Sequence, residues 1–182
     1  MSGSGVGGNA ATGAGAPRRV AVLGAESTGK STLAAALAER HRTLWVPEYL
    51  REFVETMGRT PREQEQVRIA FTQAKREDAA AGRADRLLFC DTTPLMTALY
   101  SRHYWGRVDP RIEQLARTRA YAVTLVTAPD TPWEPDGLQR ESEAVRQRIH
   151  REVVAALDGL GVAWVLVTGS LAERLAQVDA VL

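Results

Sequence analysis

The segment Gly24-Ala25-Glu26-Ser27-Thr28-Gly29-Lys30-Ser31 constrains this chain more than any other feature. It has the spacing G-x-x-x-x-G-K-[ST], and it sits between a short β-branched run, Arg19 to Leu23, and a run of helix formers, Gly29 to Arg40. That context is the one the spacing needs. Glycines let the backbone curl until successive N–H groups converge on an anion. The helix that follows adds the positive end of its dipole. Lys30 supplies a point charge for the β- and γ-phosphates, and Ser31 offers a hydroxyl oxygen to Mg²⁺. Gly24, Glu26, Ser27, Thr28, Gly29, Lys30, Ser31 and the adjoining Thr32 are therefore the expected contacts for the phosphates of ATP.

The rest of the chain alternates short apolar runs with helical patterns. Further strands are expected over Thr43 to Val46, Arg86 to Cys90, Tyr121 to Thr127 and Val162 to Val167. Helices are expected over Glu48 to Met57, Arg62 to Gly82, Thr93 to His103, Asp109 to Thr118, Glu141 to Leu157 and Leu171 to Leu182. The strands are continuously apolar, which is the signature of a parallel sheet covered on both faces. The fold class is thus α/β, a three-layer α/β/α P-loop NTPase arrangement on five parallel strands. Ligands of such sheets bind at the carboxyl ends of the strands. Gly24, Glu48, Asp91, Ala128 and Thr168 should meet around one crevice.

The 182 residues suffice for one domain. Residues 1–17 hold no charged side chain and are rich in Gly, Ala and Ser, so they read as a disordered tail. The folded P-loop domain is expected over 18–182. A net charge of +1 gives no reason to invoke nucleic acid or an anionic membrane. No apolar run approaches the roughly 20 residues of a membrane helix. The single cysteine, Cys90, fits a reducing, cytoplasmic setting and reads as a core residue.

Leu87-Leu88-Phe89-Cys90-Asp91 places an acid after four apolar residues. Asp91 reads as a Walker B-type ligand for Mg²⁺, like Ser31, as a cap for the helix near Thr93, or as both. No N/T-K-x-D guanine signature is present, which argues against a GTPase. His41, His103 and His150 show no metal-ligand spacing.

Four segments carry a closer resemblance: GAESTGKSTL, VPEYLREFVE, FCDTT and PWEPDGLQR with its arginine-bearing continuation. Together they resemble the kinase domain of NadR-type proteins, ribosylnicotinamide (nicotinamide riboside) kinases grouped with AAA-type ATPases. The resemblance spans nearly all of residues 18–182. It implies nucleoside-kinase-like phosphoryl transfer from ATP to a 5′-hydroxyl, with Mg²⁺, in NAD biosynthesis. The chain carries no H-x-G-H motif and so resembles a stand-alone kinase domain. Other nucleosides or nucleotides, and a regulatory ATP-binding module with slow ATPase activity, are the competing readings.

By this resemblance Glu48 contacts the substrate sugar and accepts the hydroxyl proton, with Glu52 as the rival base. Tyr49, Arg51 and Gln73 become candidate substrate contacts. Arg51 could equally form an ordinary ion pair within its helix, and Tyr49 could serve the core. Residues 129–139 resemble a lid. Arg140, Arg146 and Arg148 follow as candidate γ-phosphate cations; Arg140 stands one position later than the family pattern, and Arg146 and Arg148 could instead be solvated helix charges. Gly169, in Thr168-Gly169-Ser170, is expected near adenine, with Ser170 as a helix cap.

Overall fold

The computed structural model describes residues 15–132 and 142–182. The order of elements is β1 (Arg18–Leu23), α1 (Lys30–Arg40), β2 (Leu44–Val46), α2 (Tyr49–Met57), a 3-10 turn (Glu63–Glu65) and α3 (Gln66–Ala81). Then follow β3 (Leu87–Asp91), α4 (Pro94–Trp105), α5 (Pro110–Thr118), β4 (Val123–Thr127), α6 (Glu143–Gly159), β5 (Val165–Val167) and α7 (Leu171–Asp179).

The five strands form one sheet in the order β2-β3-β1-β4-β5, and every neighbouring pair is parallel. Successive residues of β1 point to opposite faces. Val20 and Val22 pack with Leu33 and Leu37 of α1, Phe89, Leu125 and Val178 of α7. Ala21 and Leu23 pack with Met96 and Leu99 of α4 and with Ile149, Val153 and Leu157 of α6. Burial on both faces explains why Val20 to Leu23 of β1 are all apolar instead of alternating. All five strands point the same way, so Leu23, Val46, Asp91, Thr127 and Val167 end along one edge. Gly24, Glu48, Asp91, Ala128 and Thr168 each end or closely follow one of these strands on that edge.

Several boundaries differ from the sequence expectation, each for a local reason. The strand expected from Val162 begins only at Val165. Gly161 adopts φ 65° and Val162 N–H donates to Leu157 O at 3.0 Å, so residues 160–162 wrap the end of α6. The single helix expected over Arg62 to Gly82 is a 3-10 turn followed by α3. There the Glu65 carboxylate accepts from Arg62 N–H at 2.7 Å and ties off the turn. The closing helix stops at Asp179, and β4 starts two residues later than expected. Of the N-terminal tail, residues 1–14 lie outside the described residues. Among the described residues no helix is long and apolar enough to cross a membrane.

Candidate active site

The loop between β1 and α1 is shaped by contacts from its own side chains. Gly24 has φ 148°, and a Cβ there would lie 2.2 Å from Thr127 Oγ1. Only glycine lets β1 and β4 approach this closely. Ser27 and Gly29 both adopt the left-handed region, at φ 52° and 78°. A chain that switches hand in this way turns its N–H groups into a concave cradle for an anion. Thr28 is fully buried; its hydroxyl bonds Ala25 O at 2.7 Å and Thr127 Oγ1 at 2.7 Å. The Thr28 side chain therefore braces the loop, leaving its backbone for a ligand. Lys30 Nζ donates to Ala25 O at 2.7 Å across the loop. Helix α1 has no side-chain cap and no acid in its first turn. Its N-terminal N–H groups and dipole are thus arranged for an external anion. Thr32, one turn position further on, is exposed.

Ser31 Oγ donates to Asp91 Oδ2 at 2.5 Å. Asp91 is 1% exposed, and its Oδ1 is buried with no hydrogen-bond partner. Burial pushes the Asp91 carboxyl above the usual range, opposed by Lys30, the Ser31 hydrogen bond and Arg51. A buried carboxylate oxygen left over beside a hydroxyl oxygen fits a small hard cation, whose chemistry calls for oxygen donors. Among the described residues no group of three or more His, Cys, Asp or Glu side chains could hold a metal. A cation here would complete its shell with phosphate and water oxygens, as Mg²⁺ characteristically does. The alternative of Asp91 as a helix cap is not realised: Thr93 is the N-cap residue of α4, and Asp91 is the last residue of β3.

Beside the loop lies a cavity of about 630 Å³. Glu48, Leu50, Gln66, Gln73, Thr92, Met96, Tyr100, Tyr104 and Trp105 contribute to its wall. A smaller cleft is lined by Glu26, Ser27, Lys30, Arg51 and, again, by Glu48, Leu50, Thr92, Met96 and Tyr100. The shared residues make the cavity and the phosphate loop neighbours, with Glu48 at the junction. The volume is within the range of small-molecule sites.

The remaining expected residues within the described segments each have a definite place. Gln73 is buried, accepts from Tyr49 N–H at 2.9 Å and donates to Asp91 O at 3.5 Å, so it joins the start of α2 to the end of β3. Tyr49 lies outside the cavity wall. Its ring packs with Phe53 and Ile69, Arg76 stacks over it at 4.5 Å, and Arg68 reaches its hydroxyl at 3.3 Å. Glu52 is held by Arg76 through bonds of 2.6 and 2.8 Å. Gly169 has φ 83°, and its N–H donates to Asp130 Oδ2 at 2.6 Å. Ser170 caps α7 in a reciprocal box with Glu173. Arg140, with most of the expected lid, lies outside the described residues.

Two arginines depart from the sequence reading. Arg146, a candidate either for the lid or for a solvated helix charge, is 1% exposed, and Arg174, which carries no sequence mark of a site, is 3% exposed. Both reach backbone carbonyls at the phosphate loop. Arg148 does behave as a solvated charge, paired with Glu152 at 2.7 Å. Gln66 and Met96 were also missed. Polar and apolar residues on amphipathic helices carry no sequence mark that separates a cavity wall from a core.

A family model described as an AAA domain matches residues 19–174. The trifunctional NAD biosynthesis/regulator protein NadR of Escherichia coli (strain K12) is 31% identical over 135 residues, covering 72% of this chain and 33% of that protein. The protein of the same name from Salmonella typhimurium (strain LT2) is 29% identical over 146 residues, covering 77% of this chain and 35% of the relative. The chain thus spans about a third of the length of these curated relatives. Among solved structures, a NadR protein in complex with NR superposes with a TM-score of 0.75 at 24% identity, over 91% of this chain and 50% of the other. Thymidylate kinase from Ehrlichia chaffeensis superposes with a TM-score of 0.66 at 10% identity, over 92% and 99% of the two chains.

Proposed function

This chain belongs to the AAA-domain family, and we propose that it is an ATP-dependent kinase that phosphorylates the 5′-hydroxyl of a nucleoside, nicotinamide riboside above others, giving nicotinamide mononucleotide and ADP. One observation carries the reading. A cavity of nucleoside size adjoins the phosphate loop, and a carboxylate, Glu48, stands where the two meet.

Phosphoryl transfer depends on positioning and on neutralising charge, with little covalent work for the protein. The β- and γ-phosphates of ATP lie on the loop formed by Gly24, Glu26, Ser27, Thr28 and Gly29. Lys30 gives up its bond to Ala25 O and turns to the phosphate oxygens. Ser31 and Asp91 would hold Mg²⁺, which when bound offsets phosphate charge. The acceptor lies in the cavity with its 5′-hydroxyl toward Glu48. Glu48 takes the hydroxyl proton as the oxygen attacks the γ-phosphorus and the bond to ADP breaks. Arg51, in the adjoining cleft, adds positive charge beside the phosphates. Gln73 holds the start of α2, and with it Glu48, against Asp91. Gly169 borders the adenine side.

The wall also favours this acceptor over a neutral nucleoside. The nicotinamide ring of the riboside is a cation. Tyr100, Tyr104 and Trp105 line the cavity together with the carboxylate of Glu48, and aromatic rings beside a carboxylate suit a flat cation.

The test is a panel of nucleosides with purified protein, ATP and Mg²⁺, read as ADP release and as product mass. Substrate-dependent turnover with nicotinamide riboside is the expected result, abolished in Lys30→Ala with the fold retained. ADP release that no nucleoside stimulates would replace this reading with that of a regulatory ATPase module.

A further inference from the structure

Arg146 of α6 and Arg174 of α7 come from the C-terminal third of the chain, yet both end at the back of the phosphate loop. Arg174 donates from Nε to Gly169 O at 2.9 Å and from one terminal nitrogen to Thr28 O at 2.5 Å. Its other terminal nitrogen meets Ala128 O at 3.3 Å and the Asp130 carboxylate. Arg146 donates to Pro129 O and Thr131 O, each at 2.7 Å, and reaches Ser27 O at 3.5 Å. Thr131 Oγ1 adds a bond to the same Ser27 carbonyl at 2.9 Å. Burying a guanidinium is costly unless its donors are satisfied. Here the terminal nitrogens are spent largely on main-chain carbonyls of three adjoining loops, while Arg146 Nε makes no hydrogen bond and faces Glu143 Oε2 at 3.3 Å.

A planar trans peptide points its C=O and its N–H in opposite directions. Holding Ser27 O therefore fixes the direction of Thr28 N–H, and holding Thr28 O fixes that of Gly29 N–H. These peptides flank the two left-handed residues, Ser27 and Gly29, whose conformation shapes the cradle. We propose that Arg174, assisted by Arg146 and Thr131, is a positioning residue that sets the amide directions of the phosphate loop from behind. The two guanidiniums make the loop a donor array before nucleotide arrives, which lowers the ordering cost of binding a polyphosphate. This rests on the reading of the loop as the ATP site.

Arg174→Lys tests it. Lysine keeps the charge but cannot fork to Gly169 O, Thr28 O and Ala128 O together. Calorimetry with Mg·ATP and, separately, with nicotinamide riboside supplies two Kd values, and thermal melting reports the fold. The expected result is a Kd for Mg·ATP raised about tenfold, with the riboside Kd within about twofold of wild type. Thr131→Val, which removes one bond to Ser27 O, should raise the ATP value about threefold and provides the answer if the lysine variant does not fold. An ATP affinity unchanged in folded variants would overturn the proposal. So would equal losses for both ligands that track the fall in Tm, which is what a merely structural arginine gives. Wild-type protein that binds Mg·ATP but not the riboside removes the substrate assignment and leaves the ATP arm to decide. Wild type that binds no Mg·ATP removes both.

Discussion

Glu48 and Glu52 stand one helical turn apart at the start of α2, and of the two only Glu48 lines the cavity, while Glu52 is clasped on both oxygens by Arg76. The Arg76 hydrogen bond holds the Glu52 carboxyl below the usual range, which makes it a poor proton acceptor. Glu48→Gln should then lower kcat by about 10²–10⁴ with the Kd for ATP unchanged. Glu52→Gln should keep kcat within a few-fold of wild type. Steady-state kinetics on both variants separates them; equal losses would remove the base assignment from Glu48.

Asp91→Asn should leave the nucleoside cavity intact but lose the carboxylate that faces Ser31. Turnover is expected to fall by on the order of 10²–10³, comparable to losing one preorganised electrostatic group. A titration of Mg²⁺ against ADP release should show the midpoint moving to higher concentration. Ser31→Ala should shift it the same way by a smaller amount.

Gly24→Ala adds one methyl where Thr127 Oγ1 is 2.2 Å and Thr127 O is 3.0 Å away. The strand pair β1–β4 cannot part without opening the sheet centre. Urea unfolding should report a loss of about 1–3 kcal/mol, the usual cost of overpacking. An alanine variant of wild-type stability would mean that this approach is not needed.

The 3-10 turn before α3 should respond to acid through Glu65. Its carboxylate accepts from Arg59 at 2.7 and 2.8 Å and from Arg62 N–H at 2.7 Å. The Arg59 hydrogen bonds, then that of Arg62, lower its pKa from 4.5 to about 2. A lowered carboxyl stabilises the fold above its unfolded pKa, and that contribution is lost as pH falls through the folded value. Melting curves between about pH 5 and about pH 2 should show wild type losing more Tm than Glu65→Gln. Parallel curves would assign the acid response elsewhere.

Much of this architecture was legible in the residues, because the strongest signals are local. The β-branched run, the glycines and Lys30 declare a strand, a loop and a helix within 22 positions, Arg19 to Arg40. Asp91 is readable because a buried strand that ends in an acid is a short-range pattern. The arginines behind the loop were not readable, since Arg174 looks like any charge on an amphipathic helix. Its burial follows from where α7 docks relative to Thr28, a separation of 146 residues. The same holds for Gln66, whose burial depends on the fold of the 3-10 turn before it.

Thr92 follows Asp91 with φ 62°, its N–H bonded to Val22 O at 3.0 Å, and it lines both the cavity and the cleft. A β-branched residue in that conformation carries about 1–2 kcal/mol of strain that glycine would relieve. Glycine would also strip a hydroxyl and a methyl from a residue that lines both the cavity and the cleft. A sturdier backbone and a closer-fitting wall therefore make opposite demands on this one position, and threonine satisfies the second at the expense of the first.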